Sequence, residues 1–185
     1  MPGSHDPGIF KRGKSMGYRV RKAEYDDRST VLTLYENARK FMAAHGNASQ
    51  WGKQDPAPSV IDRDIREENL YLLYDEKGIH GVFAFLIFED PTYRVIEKGN
   101  WNWNCTYGVI HRVAGDGSGG ILKSAVSYAE QLIPCLRIDT HEKNLPMQRA
   151  ILREGFSYCG IIYTSKGDQR LAYDRFKEID NHHES

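Results

Sequence analysis

The stretch VAGDGSGGILKS, Val113 to Ser124, has glycines spaced to receive phosphate. Gly115, Gly117 and Gly120 fit G-x-G-x-x-G, the dinucleotide-binding pattern. The same stretch approaches the P-loop pattern G-x-x-x-x-G-K-S, but Lys123 and Ser124 come two places late. A third reading is a pyrophosphate loop for coenzyme A. All three set an anion against the free N–H groups and positive dipole end of a helix. Side chains able to move a proton stand on either side: His111 before the loop, His141 and Glu142 beyond the next helix and strand, and Tyr163 further on. Cys105, Cys135 and Cys159 are an odd number without C-x-x-C spacing. They read as small buried apolar residues in a reducing compartment, with no structural zinc.

The elements that must position these residues follow from hydrophobic periodicity. YRVRKA, Tyr18 to Ala23, alternates as a strand. Val31, Leu34, Tyr35, Ala38, Phe41 and Met42 fall at helical spacing between Asp27 and His45, and Gly46 stops that helix. SVIDRDIREEN predicts a second helix with Ser59 as N-cap and Asp62 three residues on. NLYLLYDEKGIHGVFAFLIFED is two strands around a turn at Asp75 to Gly78, and PTYRVIEKGNWNWN is loop-like. CTYGVIHRVAG is a strand entering the glycine loop. Ile121, Leu122, Ala125, Val126, Ala129 and Leu132 make one face of the next helix, and CLRIDTH is a strand. NLPMQRAILREGF is a helix with Asn144 as N-cap, Pro146 in its first turn and Gly155 just past its end. SYCGIIYT and RLAYDRF form a final hairpin. The order β α α β β β α β α β β is a mixed α/β fold, with antiparallel hairpins flanking one central β–loop–α–β unit.

These elements make one domain over 18–177, between a polar tail at 178–185 and a Gly-, Pro- and Lys-rich start at 1–17 read as disordered or vector-derived. A formal net charge of zero gives no support for nucleic-acid or anionic-membrane binding. No apolar run approaches the ~20 residues of a membrane helix, and the start lacks the apolar core of a signal peptide. The expected location is the cytoplasm.

Strand order separates the phosphate loops. Asp139 stands about 20 residues after the glycines, where a dinucleotide fold keeps its ribose-binding acid. Against that reading, a Rossmann strand buried on both faces is almost wholly apolar, yet this one carries His111 and Arg112. The P-loop reading fails on register, because Ile121 and Leu122 intervene before Lys123, and a two-residue shift turns that side chain by about 200°. Lys123 is expected on the surface. What remains resembles the GNAT acetyltransferase family over roughly Tyr18 to Phe176. VIHRVA looks like the family's central strand. Gly117, Ser118, Gly119, Gly120, Ile121 and Leu122 match its pyrophosphate loop, with Gly117 and Leu122 departing from the usual residues. Asn144 and Gly155-Phe156 fit the family spacing of an Asn followed eleven residues later by Gly-Phe. QW, DI and GNWNW look like a bacterial subgroup whose substrates are mostly unassigned.

The resemblance implies a sheet of about seven strands with a splayed central parallel pair, about four flanking helices, acetyl-CoA as co-substrate, and no metal. It places Val113, Ala114 and Gly115 against the pantetheine and thioester, and Asn144 beside the pantetheine arm. The tyrosine usual seven residues after that Asn is Ile151 here, so the usual acid for the leaving thiolate is absent. Tyr163 or Tyr158 from the next strand is an alternative acid, although alternating strand tyrosines equally suit packing. His111, His141 and Glu142 are candidate bases; each also suits a solvated strand face or helix start. Trp51, Tyr93, Trp101 and Trp103 are expected to line the acceptor site. Trp101 and Trp103 equally fit an edge strand pairing with a second subunit, a homodimer. The implied activity is direct transfer of acetyl to an amine of a small molecule or peptide. The alternative is a non-catalytic acyl-CoA-binding sensor, which Ile151 makes credible.

Overall fold

The computed structural model describes residues 17–178. The expectations for the two tails therefore lie outside the described residues, apart from Gly17 and Glu178. Seven strands and four α-helices are formed among the described residues, as the resemblance implied: β1 (Arg19–Lys22), α1 (Arg28–Ala44), α2 (Pro58–Arg66), β2 (Leu70–Asp75), β3 (Gly78–Ile87), β4 (Gly108–Gly115), α3 (Ile121–Ala129), β5 (Cys135–Thr140), α4 (Leu145–Arg153), β6 (Ser157–Tyr163) and β7 (Gln169–Phe176).

The sheet order is β1-β2-β3-β4-β5-β7-β6. Every neighbouring pair is antiparallel except β4–β5. On one face, α3 and α4 bury Leu122, Ala125, Val126, Ala129 and Ile151 against Leu73, Phe83, Phe85, Leu136 and Ile138. On the other, α1 and α2 bury Val31, Leu34, Tyr35, Ile61 and Ile65 against Leu70, Leu72 and Val82. Removing each large apolar side chain from water contributes about 1.5–3 kcal/mol, which fixes the two helix layers to the sheet. A third cluster under the connection from β3 to β4 holds Tyr93, Tyr107, Val109, Cys135 and Ile162.

Local departures from expectation have physical reasons. Ser59 does not cap α2; Pro58 occupies the first helical turn behind Ala57, because its fixed φ suits that place. Asp62 pairs instead with Arg28 of α1. The strand expected from Cys105 begins at Gly108, and the helix expected through Leu132 ends at Ala129. The cysteines do not all stand alone. Cys105 and Cys135 form a disulfide that ties the β3–β4 connection to the start of β5, and Cys159 is free and buried.

The GNWNW segment is not an edge strand. The Asp174 carboxylate accepts from the Asn102 and Trp103 amides at 2.8 and 3.2 Å and from Asn102 Nδ2 at 2.9 Å, curling this backbone onto β7. The buried Arg137 guanidinium is sandwiched 3.9 Å from the Trp101 ring and 3.8 Å from the Tyr107 ring. Among the described residues no helix is long and apolar enough to cross a membrane.

Candidate active site

The parallel strands β4 and β5 pair only at Gly108 with Leu136 and at Val109 with Arg137. Both strands run on, to Gly115 and Thr140, so they open into a fork. A bulge in β4 begins that opening: Ala84 faces His111 and Val82 faces Ala114, leaving two β4 residues opposite Phe83. Within the bulge Arg112 takes φ 52°, a left-handed conformation costly for a side-chain-bearing residue. Two helices hold it there. Tyr35 of α1 donates its hydroxyl to the Arg112 carbonyl at 2.9 Å, and Arg112 Nη2 lies 2.7 Å from Asp64 Oδ2 of α2. Burial outweighs the pull of Arg112 and raises the Asp64 carboxyl above its ordinary range. The DI pair of the sequence thus supplies a clamp on β4.

The fork opens into a cleft of about 680 Å³. Its lining includes Val113, Ala114, Gly115, Gly117, Gly119, Gly120, Ile121 and Asn144, eight of the nine residues read as coenzyme ligands. The ninth, Ser118, lines an adjoining crevice of about 830 Å³, and Lys123 borders both cavities while remaining exposed. Gly117, Gly119 and Gly120 have φ of 93°, 81° and 72°, which glycine alone adopts without penalty. Gly120 is the N-cap of α3 and no side chain caps that helix. The first N–H groups of α3 therefore lack an intrahelical or capping partner, the donor set that an anionic pyrophosphate needs. The residues present fit coenzyme A.

The loop is held from β3. His80 bridges two carboxylates, with Nε2 at 2.8 Å from Asp75 and Nδ1 at 2.8 Å from Asp116. Asp75 and then Asp116 raise the His80 pKa above its ordinary value. Asp116 also accepts from the Ser118 amide, and Tyr18 stacks on His80 at 5.0 Å.

His111 lies at the mouth of the fork. Its Nε2 is 3.1 Å from Asp90 Oδ2 and its Nδ1 is 3.8 Å from Asp139 Oδ1. Burial opposes ionisation of Asp90, but hydrogen bonds from His111 and Thr92 outweigh it and bring its pKa to about 2. Asp139 accepts from the Tyr93 hydroxyl at 2.7 Å, and Arg170 Nε lies 3.9 Å from its other oxygen. Burial and then Asp139 push the Tyr93 phenol well above its ordinary range, so it stays a donor. The Asn144 side chain does two things: Oδ1 accepts from the Met147 amide at 3.2 Å, capping α4, and Nδ2 donates to Gln50 Oε1 at 2.9 Å. Gln50 carries the loop after α1 across the cleft beside Trp51.

The other sequence candidates lie elsewhere. His141 and Glu142 are outside the cleft lining. His141 Nδ1 accepts from the Lys143 amide, and burial with nearby Arg170 lowers its pKa. Tyr163 donates to Glu97 at 2.8 Å, away from the cleft, and that hydrogen bond raises its pKa above the ordinary value. Trp51 lines the cleft; Tyr93, Trp101 and Trp103 do not. Tyr93 is buried beneath His111, Trp101 donates to the Tyr93 carbonyl at 3.0 Å, and Trp103 stacks on Phe176 at 4.9 Å. Asp90, Tyr35, Asp64 and Arg170 were missed. A carboxylate just before Pro91-Thr92, with an N-cap pattern, was the available signal for Asp90. Spacing reads Asp139 as a ribose-binding acid; the structure sets it beside His111 and Tyr93 instead. Among the described residues no group of three or more His, Cys, Asp or Glu is arranged to hold a metal ion.

No protein-family model and no curated protein matches the chain. Solved structures do. A GNAT-family acetyltransferase from Streptococcus agalactiae 2603 is 28% identical with a TM-score of 0.79, over 89% of this chain and 98% of that one. A putative acetyltransferase from Staphylococcus aureus Mu50 is 20% identical with a TM-score of 0.62, over 85% and 97%. A ribosomal-protein-alanine N-acetyltransferase from Brucella melitensis is 14% identical with a TM-score of 0.59, over 86% and 99%; at that identity the likeness is one of fold.

Proposed function

We propose that this chain, which belongs to the GNAT superfamily, transfers an acetyl group from acetyl-CoA directly to an amine of a small molecule or peptide. The observation that carries the reading is the fork. One opening in the sheet has an uncapped helix start at one side and a histidine held between two carboxylates at the other.

Acetyl-CoA supplies an acyl carbon activated as a thioester. The α3 start and Gly117 to Gly120 would hold its pyrophosphate, and the edge of Val113 to Gly115 that β5 leaves open would hold the arm and the thioester oxygen. Such stabilisation uses backbone donors and needs no particular side chain. A lysine-like amine has a pKa of about 10.4, so about one molecule in a thousand or fewer is neutral at pH 7. With Nε2 engaged by Asp90, His111 keeps Nδ1 for the amine proton. The ionised Asp90 then steadies the imidazolium that results. The 3.8 Å between Nδ1 and Asp139 is where the amine N–H groups would enter.

The test supplies acetyl-CoA with a panel of amines and amino-acid derivatives and follows free thiol. Thiol release with at least one amine supports transfer. Coenzyme binding without release across a broad panel favours the sensor, and absence of coenzyme binding removes both. Gly120→Glu, which adds a side chain at φ 72° and a negative charge at the anion site, is expected to abolish coenzyme binding with the fold retained. Wild-type affinity in that variant refutes the loop assignment.

A further inference from the structure

We propose that Thr140 is a catalytic residue that donates its hydroxyl to the sulfur as it leaves; this rests on the acetyl-transfer reading above. The address where the leaving thiolate usually meets an acid holds Ile151, which is fully buried in the core beneath α3 and α4. The two strand tyrosines read as substitutes are elsewhere: Tyr163 is bonded to Glu97, and Tyr158 is exposed against Tyr173. Among the described residues lining the cleft, Thr140 alone carries a hydroxyl. It is completely buried, and its Oγ1 has no hydrogen-bond partner. Buried hydroxyls are nearly always satisfied, so an orphan on a cleft wall points to a ligand.

Its position on β5 suits a leaving group. Alternation puts Thr140 on the face of Leu136 and Ile138, which pack under α3 and α4. Asp139 points to the opposite face, toward His111 and Tyr93. The spare hydroxyl and Asp139, which faces the proton acceptor His111, are neighbours on β5 and point to opposite faces of the sheet. An amine entering beside His111 meets the acyl carbon from one face, and the sulfur departs toward the other. Pairing of Thr140 with Leu171 of β7 keeps this strand end in place.

In the step, the C–N bond forms and the C–S bond breaks, with its electron pair going to sulfur. The amine proton passes to His111, which returns it to solvent. Thr140 is too weak an acid to give up its proton; it hydrogen-bonds the thiolate, which then takes a proton from water. A hydrogen bond to a charged group corresponds to about a tenfold to hundredfold rate effect.

The experiment compares wild type with Thr140→Val, which keeps the shape and removes the hydroxyl, and with Thr140→Ser, which restores it. Three quantities are read: kcat, the affinity for dethio-CoA (which lacks the sulfur), and the pKa of the bound coenzyme A thiol from its thiolate absorbance. Thr140→Val is expected to lower kcat about tenfold to hundredfold and raise the bound-thiol pKa by about one to two units, leaving dethio-CoA affinity unchanged. Thr140→Ser is expected to stay within about threefold of wild type, retaining a donor for the charged sulfur. An unchanged thiol pKa in Thr140→Val, or a loss of dethio-CoA affinity equal to the loss of kcat, overturns the proposal. If wild type binds neither coenzyme A nor dethio-CoA, the acetyl-transfer reading falls first and takes this one with it.

Discussion

Two histidines in this molecule each stand between two aspartates, and they are built differently. His80, on β3, has both ring nitrogens at 2.8 Å from carboxylates, and its side chain is 14% exposed. Both nitrogens are used, so the charged ring is a clasp, tying the β2–β3 hairpin to the glycine loop through Asp116. His111, on β4, has one nitrogen at 3.1 Å from Asp90 and the other at 3.8 Å from Asp139, which already accepts from Tyr93. One nitrogen is held and one is spare, beside an open fork. The same set, one histidine and two aspartates, makes a strut in one place and a proton acceptor in the other. Which it is depends on whether a nitrogen is left over.

Replacing each histidine separates the roles. His111→Gln keeps a polar side chain but removes the base, and is expected to lower kcat by about a hundredfold or more, within the range typical of general bases. Coenzyme affinity, measured by calorimetry, is expected to stay at the wild-type level. His80→Gln is expected to show the reverse pattern, a KM for acetyl-CoA raised about threefold to tenfold with a smaller change in kcat, since a weakened clasp loosens an anion site without touching the reacting atoms. Steady-state kinetics with both substrates varied checks this. A His80 variant that loses kcat while keeping KM breaks the comparison.

Much of this was legible beforehand, and the reason is the length scale. The glycine loop, the Asn144 cap and the helix faces depend on neighbours within a few residues, so periodicity and spacing reached them. The fork was expected only through family likeness. Its cause, the bulge at Arg112, depends on Tyr35 and Asp64 from distant helices. Tyr93 and Trp101 illustrate the same limit. Loop aromatics suggested a pocket wall, but Asp139 drew the Tyr93 hydroxyl inward, and the Arg137 guanidinium drew Trp101 onto its face. Nothing in the local sequence says that a buried cation one strand away needs two rings around it. The disulfide escaped for a like reason, since 30 residues separate its halves and spacing alone does not reveal the pairing.

The two histidines differ in how pH reaches them. Asp75 and then Asp116 raise the His80 pKa, so the protonated ring is the bound form. A raised folded-state pKa stabilises the fold fully below the unfolded value of about 6.5, and the contribution is lost as pH rises through the folded-state value. The difference in melting temperature between wild type and His80→Gln is therefore expected to be largest near pH 5 and to shrink toward pH 9, at about constant ionic strength. The bond to His80 holds Asp75 below its ordinary range, and for Asp116 burial is outweighed to the same end by hydrogen bonds from Ser118 and then His80, so both stay ionised across that window. A difference that grows with pH contradicts the clasp.

The smallest effect tests the criterion of the spare contact away from either histidine. Trp103 has its amide donated to Asp174, its carbonyl accepting from Arg137 at 3.2 Å and its ring on Phe176, so its backbone and its ring face are engaged outside the cleft. Trp51 lines the cleft, its ring edge-on to Tyr35 at 5.6 Å. Trp103→Ala is expected to cost about 1 kcal/mol of stability, the worth of one partly exposed aromatic pair, and to leave the acceptor KM unchanged. Trp51→Ala is expected to raise that KM. Denaturant melts and acceptor titrations on the two variants decide it. If Trp103→Ala raises the acceptor KM more than Trp51→Ala does, the acceptor enters from the GNWNW side, and engaged side chains are a poor guide to which face of this sheet binds substrate.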